Sequence, residues 1–339
     1  MILYSLPKKK GDLMTTLFNE SEIKLANTFM HDVENKKYIL EPTELKSNKA
    51  KNMYKSFIDF TISSNPKAHY QEEFTKLTEK EIIEAFTYTI FLIFGNNDYI
   101  KNEMEEFFKI ITLSNDKEIL SGIKLTWQDP RTKELKSIVE VPSISNTSSV
   151  VSLVHEFIHY YMSNKNIDIN KKYYYTEIFS IYAEKVSTLI IESYLKIQND
   201  MTKKVENTRL DGLVWHYTKR FTEMSDLQKI YNSNKKNPFI DKEMLNEMES
   251  KCPWLNNSKM KQAYNAFRDN LAYSYGFGYI YGENLFRRFL DDYEKIGYNI
   301  RQVLEGNERI EKMLKDYNIG INQPTITKAK QKVKAITQE

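Results

Sequence analysis

Cysteine, glycine and proline are scarce in this chain. The single cysteine, Cys252, among 339 residues excludes an internal disulfide framework and is compatible with a reducing compartment. Only 10 Gly and 8 Pro interrupt the sequence. Because so few helix-breaking residues separate long amphipathic segments, we predict a mainly α protein.

The sequence also lacks a strong excess of one charge and any long apolar segment. The 49 Lys and Arg residues against 46 Asp and Glu residues give a net charge of +3, so we predict no nucleic-acid partner and no anionic membrane partner. The longest apolar run, residues 86–94, is about half as long as a bilayer-spanning helix. The first residues do not have the order of a secretory signal, so we predict a soluble, cytoplasmic protein.

Capping residues and breakers predict several helices before the middle of the chain. Thr78 and Glu81 form a capping box that opens a helix, and Gly95 ends it. Other predicted helices follow Ser21, follow Thr43 and cover residues 99–111. These helices form a predicted N-terminal helical lobe, residues 1–118, which precedes a second region, residues 119–339.

The second region begins with predicted β-structure. Segments 122–127 and 137–144 are rich in β-branched residues and flank a turn, which predicts a β-hairpin. Pro142 near the end of the second strand predicts that this strand lies at an exposed sheet edge. Further helices are predicted at 171–198, 201–233, 258–271, 279–293 and 297–305. We predict that the basic C-terminal tail forms a solvated face.

Two of the five histidines lie four positions apart in the segment VSLVHEFIHYYMS. His155, Glu156 and His159 match the pattern H-E-x-x-H. Residues four apart on a helix differ by about 40° around the axis, so both imidazoles can bind one zinc ion. Glu156 lies about 100° from the first of them, where it can act as a general base. The alternative is a pair of core histidines without metal.

A zinc site of this kind needs a third protein ligand. His216 is the one histidine after His159, whereas the segment YYYTEIFSIYAEKVSTLII carries Glu177 and Glu184. These two glutamates are seven residues apart and therefore share one face of an apolar helix. Buried carboxylates need a metal or a hydrogen-bond partner, so either glutamate is a candidate. The alternative is a pair of exposed glutamates on a solvated face.

HEFIH, followed by the E-x-x-S-x-x-x-E of Glu177, Ser180 and Glu184, resembles the thimet oligopeptidase and oligoendopeptidase F family of zinc peptidases. The segment LAYSYGFGYIYGENL, residues 271–285, resembles the tyrosine-rich segment of that family, and the C-terminal helices resemble its closing helices. The resemblance covers residues 135–339. It departs from the family at Ile158, which replaces a glycine, in the shorter gap after HEFIH, and in the shorter chain.

The resemblance implies a mainly α, zincin-like (gluzincin) fold with a small hairpin beside the HEFIH helix. It implies one Zn²⁺ held by His155, His159 and Glu177. Glu156 would take a proton from a water molecule as that water attacks a peptide carbonyl. The implied protein is a zinc-dependent metalloendopeptidase, a hydrolase that cleaves short, extended peptides.

The same resemblance suggests roles for the residues around the metal. It aligns Tyr279 with the tyrosine that stabilises the tetrahedral intermediate, and Tyr275, one turn earlier, is the competing candidate. Glu184, or Ser180, would orient a ligand.

Two other functions remain open at this stage. One is a non-catalytic or toxin-like zincin-fold protein that binds a protein partner, which an exposed cleft with Glu156 unable to contact the metal's water would favour. The other is a helical scaffold without metal. The sequence predicts no oligomeric state.

Overall fold

The computed structural model describes residues 42–69, 73–113, 123–128, 135–141, 144–164, 175–196, 201–234 and 258–337. These ranges contain ten α-helices, a 3₁₀ helix at Thr43–Leu45 and a three-stranded sheet. The predicted mainly α class is confirmed. The elements in chain order are α1 Asn48–Ser63, α2 Glu79–Phe94, α3 Asp98–Lys109, β1 Ile111–Leu113, β2 Ile123–Gln128, β3 Leu135–Val141, α4 Thr147–Asn164, α5 Thr176–Tyr194, α6 Met201–Asn234, α7 Ser258–Asp291, α8 Tyr293–Leu304, α9 Ile310–Asp316 and α10 Gln323–Thr337.

Helix α2 begins and ends as its sequence predicts. The Glu81 carboxylate accepts a hydrogen bond from the Thr78 amide at 2.8 Å, and the Thr78 hydroxyl accepts one from the Glu81 amide at 3.3 Å. This is the predicted capping box. Gly95 ends the helix with a φ of 82°, a conformation that glycine adopts without steric cost.

The helix predicted from Thr43 was placed too early. Helix α1 begins at Asn48, because the Ser47 hydroxyl accepts a hydrogen bond from the Ala50 amide at 3.1 Å and so caps the first turn. The helix predicted after Ser21 lies outside the described residues.

The sheet contains the predicted hairpin, but the predicted position of one strand was wrong. Strands β2 and β3 pair antiparallel with Leu125 opposite Ile138, and the sheet lies beside α4 as expected. The strand order is β1-β3-β2, so β3 is central rather than at an edge. The helix predicted at 99–111 was two residues too long, and its last residue, Ile111, is the first of β1. Helix α3 ends at Lys109, and the short segment after it pairs parallel to β3 with Ile111 opposite Val139.

Helix α7 is continuous across a predicted break. Helices were expected at 258–271 and 279–293, and the interval between them contains Gly276 and Gly278. The structure has one helix, Ser258–Asp291. At Gly278 an added Cβ would lie 2.6 Å from Glu177 Cβ, so this glycine permits close packing of α7 on α5. Its role is close packing between two helices, and the helix continues through it.

Helix α5 lies at the centre of the core, packed against α4 on one side and α7 on the other. Ile178, Phe179 and Val186 are fully buried there. The buried apolar side chains of the described residues form one cluster that extends from Leu45 to Ile336. The division into residues 1–118 and 119–339 stays a prediction.

The prediction of a solvated C-terminal tail was wrong. Helix α10 buries Ile326, Ala329, Val333 and Ile336 and packs against α1 and α7. These residues recur at helical spacing and form an apolar stripe, with the lysines on the other faces. Across the described ranges, no helix is long and apolar enough to cross a membrane.

Candidate metal centre

Helix α4 holds both histidines in the core. It begins after Asn146, whose side-chain oxygen accepts a hydrogen bond from the Ser149 amide at 3.3 Å. Phe157 and Ile158 are fully buried and fix the rotation of the helix. His155 is buried and His159 is partly buried on the face that meets α5.

Three of the predicted ligands meet between α4 and α5. The Nε2 atoms of His155 and His159 lie 2.9 Å apart. Glu177 places one carboxylate oxygen 3.5 Å from His155 Nε2 and the other 3.4 Å from His159 Nε2. One ligand atom from each residue lies within 4.8 Å of the others. Two imidazoles and a carboxylate are donors that suit a divalent transition metal.

The second glutamate of α5 binds the far side of His155. Glu184 Oε1 lies 2.5 Å from His155 Nδ1. A carboxylate can only accept, so a proton on Nδ1 makes this contact and leaves the lone pair on Nε2 facing the cluster. This is the orientation that a metal-binding histidine needs. The alternative of exposed glutamates was wrong, since Glu177 is 6% and Glu184 2% exposed.

Arg209 on α6 binds the Glu184 carboxylate that contacts His155. Its Nε donates to Glu184 Oε2 at 3.1 Å, and its Nη2 donates to Glu184 Oε1. No motif in the sequence marks Arg209 as part of the site. Its surroundings in the sequence do suggest burial, because Leu210 and Leu213 nearby on the same helix are apolar. Both leucines are buried in the structure. A charged residue in such a segment needs a buried partner.

The charges of the cluster explain the pKa shifts around it. Burial favours the neutral acid, but His159 and His155 outweigh it and hold the pKa of Glu177 well below its usual value. Burial is likewise outweighed at Glu184, where Arg209 and His155 lower the pKa. Burial opposes the charged form of His155, but Glu184 and Glu177 raise its pKa overall. Both carboxylates are therefore ionised near neutral pH.

The residues fit a divalent cation by charge as well as by donor type. Glu156, Glu177 and Glu184 are buried beside the two histidines, and Glu184 pairs with the partly buried Arg209. Buried carboxylates need positive partners, and a divalent cation between His155, His159 and Glu177 would supply positive charge there.

Glu156 lies beside the cluster without being part of it. Its side chain is buried, and Oε1 lies 4.0 Å from His155 Nε2. Because it is next to His155 in the sequence, its side chain leaves α4 in a different direction from the two imidazoles. A carboxylate at this distance can accept a proton from a group bound between the ligands.

The structure places Tyr279 in a different polar cluster. Its hydroxyl donates to Glu206 at 2.9 Å, and Lys185 Nζ lies 5.0 Å from the ring centroid. Lys185 forms ion pairs with Glu206 at 2.7 Å and with Glu283 at 3.0 Å. Burial and the charge of Glu206 raise the pKa of Tyr279 well above its usual value. Its hydroxyl is therefore engaged by this buried network.

Tyr275, the competing candidate, lies beside the metal-ligand cluster. Its ring centroid is 5.9 Å from the guanidinium carbon of Arg209. Burial and the negative charges of Glu177 and Glu156 raise the pKa of Tyr275, so its hydroxyl keeps its proton. A neutral phenol in this position can donate a hydrogen bond.

The fold and this cluster define a mainly α protein with a buried two-histidine, one-glutamate site that could hold a metal ion. No family model matches the chain, and no curated protein matches it.

One similar solved structure is a provisionally named oligoendopeptidase F from Bacillus anthracis strain Ames. Its TM-score is 0.47 at 11% sequence identity, and the match covers 88% of this chain and 57% of the other chain. A provisionally named peptidase from Chlamydophila abortus has a TM-score of 0.42 at 11% identity and covers 96% and 56%. The chain thus spans less than two thirds of either structure. Likenesses this distant assign no function.

Proposed function

We propose that this protein is a single-zinc metallopeptidase, with His155, His159 and Glu177 as the metal ligands. The observation that carries the proposal is the convergence of two imidazole nitrogens and a carboxylate within 4.8 Å of one another. The burial of Glu156, Glu177 and Glu184 beside the two histidines and the orientation of His155 by Glu184 support it. Three protein ligands leave a fourth position open, as in catalytic zinc sites.

Each residue of the cluster has a role in this proposal. A zinc ion held there would polarise the scissile carbonyl and lower the pKa of the attacking water. Glu156 accepts the proton of that water and later passes it to the leaving amine. Its distance of 4.0 Å from His155 Nε2 favours this role over the non-catalytic alternative, which would need Glu156 out of reach.

We assign Tyr275, rather than Tyr279, as the hydrogen-bond donor to the developing oxyanion. The Tyr279 hydroxyl already donates to Glu206 in the core, whereas the charges of Glu177 and Glu156 act on Tyr275. A phenol that stays protonated beside the cluster can stabilise negative charge as it develops on the carbonyl oxygen.

The proposed substrate is a short peptide bound in an extended conformation. A peptide could not add to β3, because β3 already has a partner strand on each side. Within the described strands the outer ones are β1 and β2, so backbone pairing with a peptide would use one of these.

Replacement of Glu156 tests this function most simply. Chelators should abolish hydrolysis of a quenched peptide library, and zinc should restore it. Glu156→Gln should keep one zinc per chain and lose nearly all turnover, since the base is removed and the ligands remain. Glu105→Gln, an exposed glutamate on α3, is the matched control and should keep full activity. A Glu156→Gln protein that holds zinc and hydrolyses peptides normally would refute the assignment.

A further inference from the structure

Arg209 on α6 contacts both Glu184 and the proposed metal ligand His155. Among the described contacts, no other residue outside α4 and α5 does so. The Arg209 Nε lies 3.1 Å from Glu184 Oε2. Its Nη2 donates to Glu184 Oε1 and lies 3.5 Å from His155 Nδ1. The side chain is 15% exposed, so the guanidinium is largely removed from solvent.

Glu184 accepts from His155 and from Arg209 at the same time. Oε1 takes the contact from His155 Nδ1, while Oε2 takes the Nε donor of Arg209. A planar guanidinium that contacts both oxygens fixes the plane of the carboxylate. The plane of Glu184 sets the direction of its hydrogen bond to His155, and hence the rotation of the imidazole.

Helix α6 is fixed against α5 by a second ion pair next to the first. Glu206, one turn before Arg209, lies 2.7 Å from Lys185, and Lys185 follows Glu184 in the sequence. Glu206 and Arg209, three residues apart on α6, therefore bind Lys185 and Glu184, which are consecutive on α5. Because the second pair is buried and involves neither histidine, it sets where Arg209 stands without touching the cluster.

The structure assigns Arg209 as a positioning residue that acts through Glu184 to hold His155 in the orientation needed to bind a metal. This inference rests on the proposed metal site and extends it from the ligands and Glu184 to a third helix. Arg209 is ionised at all relevant pH values, so its effect on Glu184 is constant. Removing it frees the carboxylate to rotate and leaves a buried negative charge without its cationic partner.

The test measures the Zn²⁺ affinity of the full-length chain by competition with a chromophoric chelator. Arg209→Met should bind Zn²⁺ about 10–100-fold more weakly, as expected when an outer partner of a metal-binding histidine is lost. Arg209→Lys, which keeps the charge without the planar fork, should recover part of the affinity. The visible absorption of bound Co²⁺ should shift in Arg209→Met, since the imidazole changes its orientation.

Arg287→Met is the matched control. Arg287 Nε also contacts a buried glutamate, lying 2.7 Å from Glu283 Oε1, but this pair contacts neither histidine. This variant should lose some stability and keep its Zn²⁺ affinity and Co²⁺ spectrum. If it weakens Zn²⁺ binding as much as Arg209→Met does, the effect is general destabilisation and the inference is wrong.

A comparison of Glu184→Gln with the double variant covers the case in which Arg209→Met alone does not fold. In Glu184→Gln the amide oxygen can still accept from His155 Nδ1, while the charge that needs Arg209 is gone. Adding Arg209→Met to Glu184→Gln should change Zn²⁺ affinity by less than about threefold, because the two residues act as one unit. A further loss of about 10–100-fold on adding Arg209→Met would overturn the inference.

The two proposals fail in different ways. A wild-type chain that binds no Zn²⁺ refutes the metal site, and with it the role of Arg209. A wild-type chain that binds Zn²⁺, together with an Arg209→Met chain of equal affinity, refutes the role of Arg209 alone.

Discussion

Gly278→Ala should disturb both stability and metal binding, because Gly278 lies where α7 meets the proposed ligand Glu177. A Cβ at this position would lie 2.6 Å from Glu177 Cβ, 2.7 Å from Ile181 Cδ1 and 3.1 Å from the carbonyl carbon of Glu177. Carbon atoms pack at about 3.5–4.0 Å, so the two helices must separate by roughly 1 Å. A backbone atom is among those contacted, so a side-chain rotation cannot relieve the clash.

Two opposing effects set the magnitude. Overpacking a core by one methyl group costs about 1–3 kcal/mol. Alanine is favoured over glycine in a helix interior by about 0.8–1.0 kcal/mol, which offsets part of that cost. The expected net loss in the free energy of unfolding is therefore about 0–2 kcal/mol. Metal binding should suffer more, since ligand distances in a metal site tolerate shifts of only about 0.2 Å.

Urea denaturation of the metal-free protein and a Zn²⁺ titration measure the two effects. Gly212→Ala in α6 is the control, because an added Cβ there meets nothing within 4 Å. That variant should gain about 0.5–1 kcal/mol and bind Zn²⁺ normally. If Gly278→Ala is stabilised like Gly212→Ala and keeps its Zn²⁺ affinity, the close packing of α7 on Glu177 is not as described.

Two further predictions concern the tyrosines and the buried ion pairs. Tyr275→Phe should lower kcat about 10²–10³-fold with little change in stability. Tyr279→Phe should instead lower the free energy of unfolding by about 1.5–3 kcal/mol and leave kcat unchanged. The reverse result would make Tyr279 the hydrogen-bond donor. Despite burial, Glu206 raises the pKa of Lys185, and Lys185 lowers that of Glu283. Stability from this network should be complete between pH 4.5 and 10.5, the ordinary values of the two groups. It should fall as Glu283 protonates on acidification and as Lys185 deprotonates above that range, so denaturation midpoints independent of pH would refute this.

Local patterns were sufficient to predict some parts of the fold. The capping box at Thr78 and the stop at Gly95 each depend on residues within one turn, so the ends of α2 follow from sequence. The spacing of His155 and His159 is equally local, because four residues on a helix always share a face.

Contacts between distant segments could not be predicted in this way. Arg209 is 25 residues from Glu184, and their contact depends on how α6 packs against α5. Gly278 lowers local helix propensity, yet packing against α5 keeps α7 continuous. Strand β1 has three residues, too few to show a period, and forms only because β3 lies beside it. Tyr275 and Tyr279 lie one turn apart, and their partners on α6 distinguish them.

The zinc content of the purified protein and of two single variants tests the central claim most directly. The account predicts one Zn²⁺ per wild-type chain and an empty site in Glu177→Ala, because two imidazoles alone are too few ligands for a stable site. Glu184→Ala should retain Zn²⁺ with affinity lowered about 10–100-fold. A wild-type chain without zinc would contradict the account, as would zinc that is lost in Glu184→Ala and kept in Glu177→Ala.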